Sequence, residues 1–241
     1  MRFIILFLTV SMLSLTSCGE EKKGVKGQLT PRAKIDIQLD SSQVVLTNEY
    51  AFNDGRYSKG GASFLLQGKN EKMLCTAKHL LGEAMGISPR VHTSELEGEL
   101  NYWCAFASND SIFRDTLNVK RVVNKKESQT DILLFNHIGV LDDLAVLKPR
   151  FTKPGLQEEL ELIAYEFNSD QQQRFTLEMD EFKRSSYIVR AKEKFNPRGM
   201  SGSPVLDKNG YVIGVLVGGG HFEGELYLTV EPLSLVKNYL D

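Results

Sequence analysis

A chain of 241 residues, 41% hydrophobic and 25% charged, has the composition of a globular protein of one or two domains. Its net charge of −2 gives no electrostatic reason for a polyanionic partner, and no basic run interleaved with aromatics points to nucleic acid. The sequence shows no internal repeat and no low-complexity tract.

The chain begins Met1-Arg2, and residues 3–15 are almost wholly apolar. A short apolar run behind a basic start reads as a secretory signal, too short to span a membrane. It ends in Leu15-Thr16-Ser17-Cys18, which resembles a bacterial lipobox, where cleavage precedes a cysteine that takes lipid. Residues 1–17 are therefore expected to be a lipoprotein signal peptide and Cys18 the lipidated residue. Residues 18–35, with Gly, Lys and Pro but no apolar periodicity, read as a tether. Glu20-Glu21 resemble the surface-export signals of some bacterial lipoproteins. The expected location is the bacterial cell envelope, periplasmic or at the outer membrane, with membrane contact through lipid alone.

From residue 35 the pattern changes to short strands: an alternating stretch over 35–45, then apolar runs at 62–67 and 73–76. Asn53-Asp54-Gly55 and Gly68-Lys69-Asn70 supply turns. Residues 80–85 could form one helical turn, and 96–107, with Tyr102, Trp103 and Phe106, read as a strand carrying core aromatics. Pro149 and Pro154 bracket a linker at 150–155, which divides the chain into expected domains 36–150 and 151–241. The second half offers strands at 160–167, 175–179, 187–191, 210–217 and 226–230. Pro232 precedes a final apolar stretch, 233–240, expected to be a short helix. Many short strands with polar turns argue for barrels or sandwiches.

The chemistry concentrates in Gly199-Met200-Ser201-Gly202-Ser203-Pro204-Val205. Gly199 can adopt a backbone conformation closed to other residues and so aim successive N–H groups at one spot beside the Ser201 hydroxyl. A serine nucleophile needs a base, and the base an orienting acid. Of the four histidines, His79, His92, His137 and His221, only His79 follows a buried-type strand with a small-residue step, Thr76-Ala77. His92 and His137 read as loop or surface residues. Two carboxylates precede apolar strands: Asp143 in D-L-A-V-L and Asp131 in T-D-I-L-L.

With T-A-x-H, D-L-A-V-L and G-M-S-G-S-P in that order, the chain resembles the chymotrypsin/trypsin family of serine peptidases over residues 60–230. The resemblance implies an all-β fold, a double six-stranded antiparallel β-barrel with a short C-terminal helix. It implies peptide-bond hydrolysis through an acyl-enzyme, with a polypeptide substrate and neither cofactor nor metal. Ser201 would attack, His79 shuttle the proton and Asp143 orient it, with Asp131 the competing acid. Ala145, two positions after Asp143, matches the family's strand behind the histidine; the adjacent Asp142 should point the opposite way. The N–H groups of Gly199 and Ser201 would form the oxyanion hole. The specificity pocket would lie between the loop before Ser201 and Val217-Gly218-Gly219-Gly220, with Phe195 at its floor, Gly218 and Gly219 on the strand that pairs with substrate, and Glu225 on the opposite wall.

Other readings of the same residues remain open: Glu225 as a solvated loop carboxylate, a trypsin-fold surface lipoprotein that binds without turnover, and an esterase using the same triad. Cys75 and Cys104 are expected to be free thiols, since Leu80 occupies the position of the family's usual cystine beside the histidine. Met200 stands where the digestive branch carries an ion-pairing aspartate, so no activating cut is expected.

Overall fold

Short apolar runs between Gly and Asn turns fold as strands throughout. A computed structural model describes residues 42–107, 116–126, 129–140, 143–167, 169 and 171–241. The signal segment, Cys18, the tether and Asp142 lie outside the described residues. The strands are β1 (Leu46–Phe52), β2 (Tyr57–Gln67), β3 (Lys72–Ala77), β4 (Leu100–Phe106), β5 (Leu117–Val122), β6 (Ile132–Ile138), β7 (Val146–Pro149), β8 (Glu159–Tyr165), β9 (Gln172–Phe182), β10 (Tyr187–Ala191), β11 (Pro204–Asp207), β12 (Tyr211–Phe222) and β13 (Glu225–Pro232).

Strands β1, β4, β5, β6, β3 and β2 pair in that order, all antiparallel, and β2 returns to β1 to close a barrel. Strands β12, β11, β8, β9, β10 and β13 pair likewise, and β13 returns to β12. Closure leaves neither barrel with an outermost strand, although β12 runs on past the end of its pairing with β11 at Val215. Strand β7 belongs to neither ring; it lies parallel to both β2 and β12 and joins them.

Each barrel has its own core. Trp103, stacked on Tyr50 with centroids 4.3 Å apart, centres the first with Leu46, Leu74 and Phe135. Phe175, Leu177, Val189, Leu226 and Leu228 fill the second. A third cluster lies between them and includes Phe64, Cys75, Ile132, Leu134, Leu147, Leu206 and Val215. It explains why β2 and β6 read as unbroken apolar runs: both of their faces are covered. The C-terminal segment, a 3₁₀ turn (Leu233–Val236) followed by a helical turn (Lys237–Leu240), buries Leu233, Val236 and Leu240 in this cluster.

Several elements differ from the pattern-based expectation. Most of the expected alternating stretch, residues 35–41, lies outside the described residues; in its described end Val44 and Val45 are adjacent and both buried, and Gln43 makes an isolated bridge to Leu144. Residues after β3 form two 3₁₀ turns (Lys78–Leu81 and Glu83–Met85). Residues 96–107 divide into a helical turn (Leu96–Glu99) and β4. His137 lies within β6, half-buried, not in a loop. Cys75 is buried in β3 and Cys104 half-buried in β4; neither is in a disulfide, and burial pushes the Cys75 thiol far up.

Candidate active site

The antiparallel register of β3 and β6 sets the first half of the site. Ala77 faces Ile132 at the end of the ladder, so the chain emerges from β3 as Lys78 and enters β6 from Asp131 at the same spot. The Lys78 N–H donates to the Asp131 carbonyl at 2.6 Å. His79 follows in a 3₁₀ turn. Its main-chain N–H donates to Asp131 Oδ1 at 2.6 Å, and its Nδ1 lies 2.6 Å from Asp131 Oδ2. An ionised carboxylate can only accept, so Nδ1 carries the proton and the Nε2 lone pair is left free. Both side chains are about three-quarters covered, at 23% and 25% exposure, which shields the pair without sealing it from solvent.

The acid beside the histidine is therefore Asp131, and the expectation of Asp143 is corrected. Asp143 is exposed, its φ is 59°, and its carbonyl accepts the Gln43 N–H at 3.0 Å. It leads into β7, which runs between β2 and β12 and not beside β3. The small Ala145 is explained by the cluster between the barrels, where it is buried.

The second half of the site is a pair of tight turns. The Met200 N–H donates to the Pro197 carbonyl at 3.2 Å, and the Ser203 N–H to the Met200 carbonyl at 3.0 Å. Gly199 and Gly202 occupy the third position of each turn with φ of 81° and 94°. Positive φ there, after an ordinary residue, is the type II geometry, and it requires glycine. The turn bonds are donated by Met200 and Ser203, not by the N–H groups of Gly199 and Ser201.

This loop is seated against the first barrel. The Ala62 N–H donates to the Ser201 carbonyl at 2.6 Å. A Cβ at Gly202 would lie 1.9 Å from the Ala62 carbonyl oxygen and 2.7 Å from Thr76 Oγ1. Thr76, three residues before His79, donates its hydroxyl to the Ala62 carbonyl at 2.6 Å. Behind it a buried chain runs through Asn48 to the Trp103 indole, at 3.4 Å and 3.0 Å. On its other side the loop locks to β12, where Gly202 N–H meets the Leu216 carbonyl and Leu216 N–H the Ser203 carbonyl. Ser201 is thus seated on Ala62, whose carbonyl is held by Thr76, three residues before His79. A groove of about 460 Å³ opens from Gly199 along Gly60, Gly61, Ala62, Tyr165 and Arg198. None of the groove's other residues carries a sequence motif that would have revealed it.

The expected substrate-contact residues divide. Gly218 and Gly219 lie on β12 just past the loop. A Cβ at Gly218 would meet nothing within 4 Å, leaving that face of the strand open, whereas one at Gly219 would strike Leu228 Cδ2 at 2.6 Å. Phe195 is buried, its ring 4.1 Å from that of Phe175 in the second core. Its side chain packs in that core. Glu225 is not a pocket wall. Leu226 is buried inward, so strand alternation turns Glu225 outward. There its Oε2 lies 3.3 Å from Arg190 and accepts the Tyr227 hydroxyl at 3.1 Å. It closes a two-residue hairpin, with Glu223 and Gly224 both at positive φ.

One carboxylate with no motif lies behind the acid. Glu231, on β13, is only 8% exposed. Its Oε2 accepts the Thr130 hydroxyl at 3.0 Å, and the Asp131 main-chain N–H bonds to its carboxylate. Burial pushes this carboxyl above the usual carboxylate range; those two hydrogen bonds oppose the rise, the Asp131 charge adds to it and the Lys78 charge opposes it. The available signal was an acid interrupting an apolar strand, L-Y-L-T-V-E-P. Among the described residues no group of three or more His, Cys, Asp or Glu side chains is placed to hold a metal.

No protein-family model matches the chain, and no curated protein matches it in sequence. Solved structures do match it in shape. The Rv3671c protease from M. tuberculosis in its active form is 16% identical, with a TM-score of 0.56 over 86% of this chain and 83% of that one. A thermostable serine protease, AL20, from an extremophilic microorganism is 13% identical, with a TM-score of 0.55 over 83% and 96%. Deg5 is 14% identical, with a TM-score of 0.56 over 87% and 94%. Two closed six-stranded barrels, a short C-terminal helix and these likenesses together assign the chain the trypsin-like fold.

Proposed function

We propose that the chain is a serine endopeptidase. The observation that carries this reading is the His79–Asp131 pair at 2.6 Å, together with a serine loop whose two turn bonds are donated by Met200 and Ser203. Ser201 Oγ attacks the scissile carbonyl carbon and gives its proton to His79 Nε2. Asp131 holds the Nδ1–H and stabilises the imidazolium that forms. The Gly199 and Ser201 N–H groups receive the oxyanion, as the charge develops. Collapse expels the amine, which leaves with the proton from Nε2. Water then repeats the sequence on the acyl-enzyme and restores the serine. Every group required is a side chain or peptide of this chain.

The substrate is a polypeptide bound in extended form. Strand β11 pairs with β12 only as far as Val215, so past Leu216 that edge of β12 is free to take a peptide through main-chain hydrogen bonds, with open space above Gly218.

Labelling with a serine-reactive fluorophosphonate tests the nucleophile: wild type is labelled and Ser201→Ala is not, with its fold unchanged. Undiminished labelling of that variant removes Ser201 from the mechanism. The reading includes a lipid anchor at Cys18, supported by the L-T-S-C end of the apolar leader. Cys18→Ser should move the protein from the membrane to the soluble fraction, and a variant that stays with membranes defeats the anchor.

A further inference from the structure

We propose that Glu231 is a positioning residue, whose buried carboxylate reaches from the second barrel and holds the Thr130-Asp131 peptide so that Asp131 stays aimed at His79. The proposal rests on the Ser201, His79 and Asp131 reading above. The reacting groups are split between barrels: His79 and Asp131 belong to the first, Ser201 to the second. Catalysis by proton transfer needs all three in line, and a misplacement near 1 Å costs on the order of 10²-fold. The two halves therefore need a rigid link close to the chemistry.

Glu231 supplies one. On β13 it pairs with Val215 of β12, and Val215 in turn pairs with Pro204, three residues after Ser201. The next residue of β12, Leu216, makes both hydrogen bonds that lock the serine loop. From this frame the carboxylate accepts the Thr130 hydroxyl at 3.0 Å and the Asp131 N–H. The Thr130 oxygen also accepts the Ile132 N–H at 3.1 Å, so residues on both sides of Asp131 are held through one threonine. The path from serine to acid thus runs through two strand pairings and the Glu231 hydrogen bonds to Thr130 and Asp131.

The choice of residue is costly on packing grounds alone. Leu226, Leu228 and Val230 point into the second core, so Glu231 faces the first barrel, where it is 8% exposed and Thr130 is 2% exposed. A buried carboxylate is tolerated only when hydrogen-bonded, and an apolar side chain would satisfy the barrel more cheaply. What an apolar side chain cannot do is accept a hydrogen bond from the peptide of the acid.

The experiment is a mutant cycle read by the rate of fluorophosphonate labelling and by peptide turnover. Glu231→Gln keeps the size and one acceptor oxygen. It should lower kcat about tenfold, as expected for weakening one hydrogen bond in the charge path, with KM within about twofold. Thr130→Val should do the same, and Thr130→Ser, which keeps the hydroxyl, should restore the wild-type rate. Added to Asp131→Asn, Glu231→Gln should change the labelling rate no further, because residues that act through one another are not additive. An equal tenfold loss in both backgrounds, or no loss in either, overturns the proposal. If Glu231→Gln does not fold, the threonine pair decides by the same criteria. Wild-type turnover in Asp131→Asn alone would instead remove the underlying triad, and the role of Glu231 with it.

Discussion

Asp131→Asn is the sharpest perturbation of the site, and the geometry sets its size. Asn can keep one bond, since its carbonyl oxygen can still accept the His79 N–H, now made at 2.6 Å to Oδ1. The other oxygen becomes an NH₂ group 2.6 Å from Nδ1. Two donors cannot face each other at that distance, so the imidazole moves its proton to Nε2. The lone pair then faces the amide and the N–H faces the serine, and the base is lost without any change of shape. Loss of the correct tautomer and of the imidazolium's counter-charge typically costs about 10⁴ in kcat, or about 5 kcal/mol of transition-state stabilisation. Asp143→Asn is the matched control. That side chain is exposed, its carbonyl rather than its carboxylate makes the contact to Gln43, and Asn accepts a positive φ as readily as Asp. It should stay within about twofold of wild type, the usual range for a surface change. The assay is kcat and KM on a peptide substrate, with thermal unfolding to show that both variants fold. A several-thousand-fold loss in Asp143→Asn, with Asp131→Asn near wild type, would refute the assignment of the acid.

Two further outcomes follow from the serine loop. Gly202→Ala should abolish labelling and lower unfolding stability by about 3 kcal/mol or more, because φ is 94° and the new Cβ would lie 1.9 Å from the Ala62 oxygen; a folded, fully active variant in a calorimetric and labelling assay would show that the seat on β2 is not required. Activity should need no proteolytic activation, since Met200 is buried in the second core and holds its position by packing, with no ion pair to a new N-terminus. Turnover per labelled site, measured on a chain begun after Cys18 with a blocked N-terminus, should be unchanged by limited proteolysis, and activity that arises only after a cut would contradict it.

The turns that carry His79 and Ser201 were legible because each is declared by its immediate neighbours. A small-residue step at the end of an apolar strand, and glycines one residue before and two after the turn junction at Met200, are local requirements of backbone conformation. The strands and turns were legible for the same reason, as polar and glycine punctuation between apolar runs. The acid was not, because Asp131 and Asp143 have the same local signature, a carboxylate before an apolar strand. Which of them meets His79 is decided by the pairing of β3 with β6, a register between residues 55 apart such as Ala77 and Ile132, and by the placing of β7 between the barrels. Glu225 needed the same information in another form: its side depends on Leu226 pointing into a core that exists only when the second barrel closes. Glu231 was furthest from view, since its partners, Thr130 and Asp131, lie about a hundred residues away on the other barrel. Local sequence carries conformational preference, which acts over a few bonds; the meeting of charges across two barrels depends on which apolar faces bury each other, and only the closed tertiary structure decides that.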